Sequence, residues 1–271
     1  MKNLQMYCLS LQPDHLEMIQ KFGYTPVGLG DEQFNKEWLS DKKKNNISKK
    51  NKHYGEYTFH YCLWKNNVIN HNKWIGFCQY RKFWVKPNSV IRDNDFSCLN
   101  NSVLKNIPSK LKNYETILGE NFLLNQFRFM KFIKRNFKTM LFKPELWVNK
   151  KKRNIKFHFD MWHGHGNLDK AIKLLEHEER KDFNDFVNTD VSFSPHNMFI
   201  CKSKKILFKY YESVFPWLAR CEKIYGLRDL HGYGLRRIYG FLAERYMSYW
   251  FKKYTKFKIL KIHFKDISEY I

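Results

Sequence analysis

At 271 residues, with 43% hydrophobic and 18% aromatic side chains, the chain has ample apolar surface for a sizeable core, which excludes intrinsic disorder. Lys and Arg number 49 against 26 Asp and Glu, and the resulting charge of +23 selects polyanions, anionic membrane surfaces or phosphate-bearing substrates as partners, although a Lys- and Asn-rich composition of the kind an A+T-rich genome produces accounts for part of it. The six cysteines include no C-x-x-C pair and several lie in apolar runs, which excludes a zinc ribbon or disulfide framework and indicates reduced thiols in the cytosol.

The opening "MKNLQMYCLSLQPDH" is too polar for a signal peptide, and no window approaches about 18 uninterrupted apolar residues. The chain is therefore expected in the cytoplasm, soluble or peripheral at the inner face of the membrane. Leu4 to Leu11 reads as a strand, and "HLEMIQKFG" as a short helix stopped by Gly23. Pro26, Gly28 and Gly30 follow, in neither a G-x-G-x-x-G nor a P-loop spacing. A cationic, Asn-rich loop from Ser40 leads into a helix from about Tyr54 to Lys65, on which Tyr57, His60, Tyr61 and Trp64 recur at three- and four-residue steps. "WIGFCQY" reads as a strand covered on both faces, and residues 85 to 110 as loop. Tyr114 to Val148 does not separate into helix or strand, and "KFIKRNFK" with "NKKKRNIKFHF" concentrates positive charge. A His-Gly-His turn precedes a helix capped near Asn167. Met198 to Cys201 is a strand entered through Pro195, and the last third is helical before an edge strand and tail. The expected fold is one α/β domain with a mostly parallel central sheet and a helical C-terminal lobe.

Three features carry chemistry. Arg81 and Lys82 end a buried strand, where ligands of open α/β sheets bind and where cations would meet a phosphate. Asp93 and Asp95 match the Asp-x-Asp pattern that holds a divalent metal against a diphosphate. Without an apolar strand before them, they read instead as loop residues making Asx-turns, so a requirement for Mn or Mg stays open. His158, His163 and His165 lack H-E-x-x-H context and partner cysteines, and they read as pocket-lining or turn residues. No G-x-S-x-G is present to support a serine hydrolase.

"YTPVG", "NNISKKNKHYGEYTFHYCLWKNN", "WIGFCQYRKFW", "SPHNMFICKSKKIL" and "RRIYGFLAERYMSYWF" occur in an order and at intervals that resemble a bacterial family of capsular or exopolysaccharide biosynthesis proteins, long defined only as a domain of unknown function. The resemblance covers nearly the whole chain. It implies a GT-A-like glycosyltransferase that moves a hexose, galactofuranose among the sugars suggested, from a nucleotide-diphosphate donor, UDP-linked by preference, to a surface polysaccharide or lipid-linked glycan. Residues to about 110 would form the nucleotide-sugar half and residues from about 111 the acceptor side. Carried onto this sequence, the resemblance points to Asn46, Asn51, Glu56, Tyr80, Arg81, Asn197, Glu244 and Arg245. The departures are Gln79, where relatives tend to have His, and Lys82, where they tend to have Arg.

On this reading Tyr80, Arg81, Lys82, Asn46, Asn51 and Glu56 bind the donor, while His165, Asn197, Arg237 and Arg245 bind the acceptor. Arg81 also stabilises the departing diphosphate, and Glu244, beside Arg236, Arg237 and Arg245, takes the acceptor proton. His163 joins that catalytic set, and Asp160, Asp169 and Asp190 are reserve bases. Two rival readings are a nucleic-acid-binding protein using its basic, aromatic surface and a non-catalytic scaffold of polysaccharide assembly. Against the first, no RRM-like K/R-G-F/Y-G/A-F pattern occurs. The C-terminal run Phe251 to Lys265 alternates lysine with apolar residues, as either an anionic-membrane contact or a protected sheet edge would.

Overall fold

In the computed structural model, which describes residues 3–92, 95–124, 149–227 and 232–271, the opening alternation of strand and helix folds as its pattern suggests. Leu4–Ser10 is β1, Leu16–Lys21 is α1 and Thr25–Gly28 is β2, with Gly23 in the left-handed turn between the last two at φ +69°. A short β3, Leu39–Ser40, follows. The aromatic segment is two helices rather than one, α2 (Asn51–Tyr54) and α3 (Tyr57–Lys65), because Gly55 adopts φ +58° between them.

Trp74–Gln79 forms β4, and the chain turns at once through Tyr80 and Arg81 into the antiparallel β5, Lys82–Trp84. The region expected as loop contains α4, Phe96–Ser102, whose N-terminus is capped by Asp95 accepting from the Cys98 N–H. Thr116–Gly119 is β6 and Phe122–Leu123 is β7. Then come α5 (Ile155–His163), α6 (Asn167–Lys173) and α7 (His177–Thr189), followed by β8 (Ser192–Phe193) and β9 (Phe199–Cys201). The long α8 (Lys204–Tyr225), α9 (Tyr233–Arg236) and α10 (Ile238–Tyr254) precede β10 (Phe257–Leu260) and β11 (Ile262–Phe264). Much of the basic stretch between Tyr114 and Val148, "KFIKRNFK" included, lies outside the described residues.

The central sheet runs β10-β6-β9-β4-β1-β2-β3 and is parallel throughout except at β9, which is antiparallel to both neighbours; β5 and β11 extend it beyond β4. Strands from both sides of residue 110 thus share one sheet. Alternation along each strand feeds two cores: Ile75 and Phe77 of β4 pack with Tyr7 and Leu9 toward α3, α8 and α10, whereas Trp74 and Cys78 pack with Met6 and Cys8 toward α1 and α4. Both faces are covered, which is why β4 reads as continuous apolar sequence. Helix α10 is buried from Ile238 to Phe251 with few breaks, so its polar residues, Glu244 and Arg245, are held inside the protein.

Candidate active site

Strand β1 has β2 on one side and β4 on the other, so the order of the parallel strands reverses there, and a crevice opens beyond the carboxyl ends of such strands. A cleft of about 330 Å³ lies at that point, lined by Ser10 and Leu11 after β1, Leu29 after β2 and Gln79 to Lys82 after β4. Its far wall is Asn51, Gly55 and Glu56 from the α2–α3 junction, together with Tyr233 and Arg237. An adjoining pocket of about 160 Å³ shares Glu56, Gln79, Lys82 and Arg237 and adds His196, Asn197, Gly240 and Glu244. Beyond Glu244 and His196 lies a third, largely aromatic cavity of about 910 Å³, walled by Phe122, Trp162, Phe193 and Phe241 among others.

Local backbone choices build this site. A Cβ on Gly55 would stand 2.0 Å from Arg237 Nη2, so only glycine lets that guanidinium lie against the α2–α3 junction. His196 and Asn197 both hold left-handed φ, +77° and +53°, a conformation that costs non-glycine residues energy. It aims the His196 carbonyl at Gln79 Nε2 (3.0 Å) and the His196 N–H at Glu244 Oε1 (2.5 Å). Asn197 Nδ2 donates to the Gly240 carbonyl at 3.3 Å, while its buried Oδ1 has no partner among the described residues.

The charges interlock. Gln79 Nε2 also donates to Glu56 Oε1 at 2.8 Å, and Lys82 Nζ donates to Gln79 Oε1 at 2.9 Å. Arg237 Nη2 pairs with Glu56 Oε2 at 3.3 Å. Burial pushes the Lys82 ammonium pKa down, against the pull of Glu56 and Glu244. Glu244 Oε2 accepts from Arg245, which is 1% exposed and lies 4.4 Å over the Phe193 ring. Arg81 differs: its side chain is 56% exposed, its Nε donates to Asp266 at 2.6 Å, and its guanidinium stacks 4.7 Å over the Tyr80 ring.

Of the residues singled out in the sequence, Asn51, Glu56, Tyr80, Arg81, Lys82, Asn197, Arg237 and Glu244 come together at this cleft and its adjoining pocket. The others are elsewhere. Asn46 organises its own exposed loop, accepting from Ser48 and donating to the Lys42 and Lys44 carbonyls. His163 ends α5 on the wall of the aromatic cavity, 3.0 Å from the Gly234 carbonyl and 4.0 Å from Phe241; burial, then the nearby Arg245, pushes its pKa down to about 2, leaving a neutral ring. His165 is 83% exposed beside Asp160. Arg245 borders the aromatic cavity from behind Glu244. Asp160 and Asp169 pair with Lys156. Neither they nor Asp190 line the cleft or its adjoining pocket. Asp93 lies outside the described residues, and Asp95 is the α4 cap. Sequence reasoning passed over His196, whose signal was its place in the Pro-His-Asn turn before β9, and Tyr233, for which no local signal existed.

Among the described residues no group of three or more His, Cys, Asp or Glu gathers in a metal-binding arrangement. The two carboxylates of the pocket are each bonded to an arginine, Glu56 to Arg237 and Glu244 to Arg245, so this donor set does not fit a divalent metal.

The family model for a domain of unknown function, DUF4422, matches residues 9–256. No curated protein matches the chain. Among solved structures, the apo form of the bifunctional glycosyltransferase WbbM is similar, with a TM-score of 0.66 over 97% of this chain at 18% identity. The match takes 45% of that protein, so the chain spans less than half its length and the likeness is one of fold.

Proposed function

The chain belongs to the DUF4422 family, and from that membership and the three-part cleft we propose that it is a glycosyltransferase, moving a hexose from a nucleoside-diphosphate donor to a surface glycan or lipid-linked acceptor. The observation that carries the reading is that Glu244 and His196 border both the polar pocket and the aromatic cavity, as groups between two substrates must. The donor diphosphate lies in the cleft against Arg81 and Lys82. Apart from Tyr233 and Arg237, that cleft draws its lining from residues 9 to 82, and the aromatic cavity is lined from residue 122 onward, which supports a donor half and an acceptor half.

In the reaction, the bond between the sugar's anomeric carbon and the phosphate oxygen breaks, and the acceptor oxygen forms the new glycosidic bond. Negative charge grows on the leaving diphosphate, where Arg81 and Lys82 stabilise it. The acceptor hydroxyl loses its proton to a carboxylate, for which Glu244 is placed. Neighbouring aromatic faces, Phe122, Trp162 and Phe241, suit sugar rings or the apolar part of a lipid-linked acceptor.

A panel of nucleotide sugars, UDP-hexoses including UDP-galactofuranose first, tests this by thermal stabilisation. At a hundred times its Kd, a true donor adds about 2.7 kcal/mol, a rise of about 5 °C for a chain of this size. Arg81→Ala is expected to abolish the rise and to lower donor affinity and turnover together. A panel in which every compound leaves the melting temperature unmoved removes the reading.

A peripheral membrane location is a separate proposal. No helix among the described residues is long and apolar enough to cross a membrane. Within Phe251 to Lys265, Lys253 pairs with Asp182 at 2.8 Å and Lys265 with Glu269, while Phe264 is 59% exposed. Each lysine near an anionic surface contributes about 1 kcal/mol, screened by salt. The chain is expected to sediment with anionic vesicles at low salt and to leave them at high salt. Equal recovery with neutral vesicles assigns these lysines to edge protection alone.

A further inference from the structure

The cations of the cleft are not equivalent. Lys82 is committed to Gln79, Arg237 to Glu56 and the Tyr233 hydroxyl, and Arg245 to Glu244 and His158. Arg81 alone among these keeps both terminal amino groups without a protein partner among the described residues, because its single ion pair is made side-on, through Nε, to Asp266 Oδ2 at 2.6 Å. Its plane is set by a second contact, the Tyr80 ring at 4.7 Å, and that ring rests in turn on His15 at 4.8 Å.

The segment carrying Asp266 is not a loose tail. Strand β11 pairs with β5, the Lys265 N–H donates to the Arg81 carbonyl at 3.1 Å, and the Ile267 N–H donates to the Tyr80 carbonyl at 3.2 Å. The fully buried His15 ties the two sides together, with Nδ1 2.7 Å from Ser10 Oγ and Nε2 2.8 Å from Ser268 Oγ. Asp266 Oδ1 meanwhile accepts from the Ser268 N–H at 3.0 Å, which fixes the carboxylate from its other side.

We propose that Asp266 is a positioning residue for the donor: it grips Arg81 by Nε and turns the free Nη1–Nη2 fork into the cleft, so that a diphosphate is met by a pre-oriented bidentate cation. The proposal rests on the donor-site reading of the cleft and adds to it a residue beyond position 256, where the family match ends. A guanidinium held side-on presents two parallel donors to a phosphate without first ordering a long side chain, which is where its affinity gain originates. A tail carboxylate that merely occupied Arg81 until ligand arrived would engage the Nη fork itself, and this one does not.

The test is calorimetric binding of UDP, with inorganic pyrophosphate as the nucleoside-independent probe, to the full chain and to Asp266→Asn. Asparagine retains an Oδ1 able to accept the Ser268 N–H but loses the charge on Arg81, so the turn survives while the grip weakens. Both ligands are expected to bind Asp266→Asn about five- to tenfold more weakly, with an unchanged melting temperature for the free protein. Asp266→Glu is expected to recover part of the loss, and in an Arg81→Ala background Asp266→Asn is expected to have no further effect. The sign is diagnostic: removing a negative charge from a chain of net charge +23 strengthens anion binding by field alone, whereas loss of positioning weakens it. Unchanged or tighter binding by Asp266→Asn, with the wild type binding normally, overturns the proposal alone. Failure of the wild type to bind either ligand overturns the donor-site reading and the proposal together.

Discussion

Glu244→Gln is expected to destabilise the chain by about 3–5 kcal/mol and to lower turnover by about 10²- to 10⁴-fold, two effects with different origins. The stability loss comes from Arg245. That residue is 1% exposed, its Nε has no hydrogen-bond partner among the described residues, and the Glu244 carboxylate supplies its counter-charge within the core. Neutralising Glu244 leaves an uncompensated buried cation, and a pair broken from one side costs far more than a pair removed whole. The turnover loss follows from the place of Glu244 between the polar pocket and the aromatic cavity, where no other carboxylate among the described residues borders both spaces: Glu56 lines only the pocket and Asp160 only the cavity. A double variant separates the two. Glu244→Gln with Arg245→Met removes both charges and fills the space with an apolar chain, so denaturant stability is expected to return toward wild type while turnover stays low. If turnover returns along with stability, Glu244 is a counter-ion only and the proton acceptor must be sought in Glu56.

The second large effect is acid lability. His60, His158 and His196 are pushed down to about 3 and His163 to about 2, in each case first by burial; Arg245 adds to the effect at His158 and His163, and Lys82 at His196. All four are neutral in the folded chain at pH 7. In the unfolded chain they titrate near the ordinary value of about 6.5, so below that pH the unfolded state binds more protons than the folded one. Their contribution to stability is whole above about pH 6.5 and is lost as pH falls from there toward the folded values near 3. Each group then costs about 1.4 kcal/mol per pH unit, so one unit below 6.5 the four together remove about 6 kcal/mol, a large share of the 5–15 kcal/mol typical of a domain. Urea midpoints at pH 7.5, 6.5 and 5.5 measure this directly. A steep fall between the last two is expected, and a midpoint flat to pH 5.5 would mean that these rings are charged or solvated in the folded protein.

The amino-acid sequence by itself determined the elements whose cause is local. Strand β4 was legible because a strand covered on both faces must be apolar along its whole length, and α10 because its apolar residues recur at helical spacing. The turn after β4 was legible as a break in a buried run, because Tyr80, Arg81 and Lys82 interrupt it with charge, and these three residues line the cleft. Tertiary structure decided the rest. Glu56 and Arg237 are 181 residues apart and His196 and Glu244 are 48, and no periodicity encodes that the first pair meets across Gly55 or that the second meets across a strained turn. The same blindness runs the other way. Asn46 and His165 are residue types that bind ligands elsewhere, but Asn46 spends its hydrogen bonds inside one loop and His165 points to solvent, since a side chain's chemistry becomes a site only where the fold converges other groups on it. Asp266 is the clearest case: near the end of the chain and outside every motif, it reaches Arg81 because β11 pairs with β5, a long-range register that the sheet imposes and that local sequence cannot express.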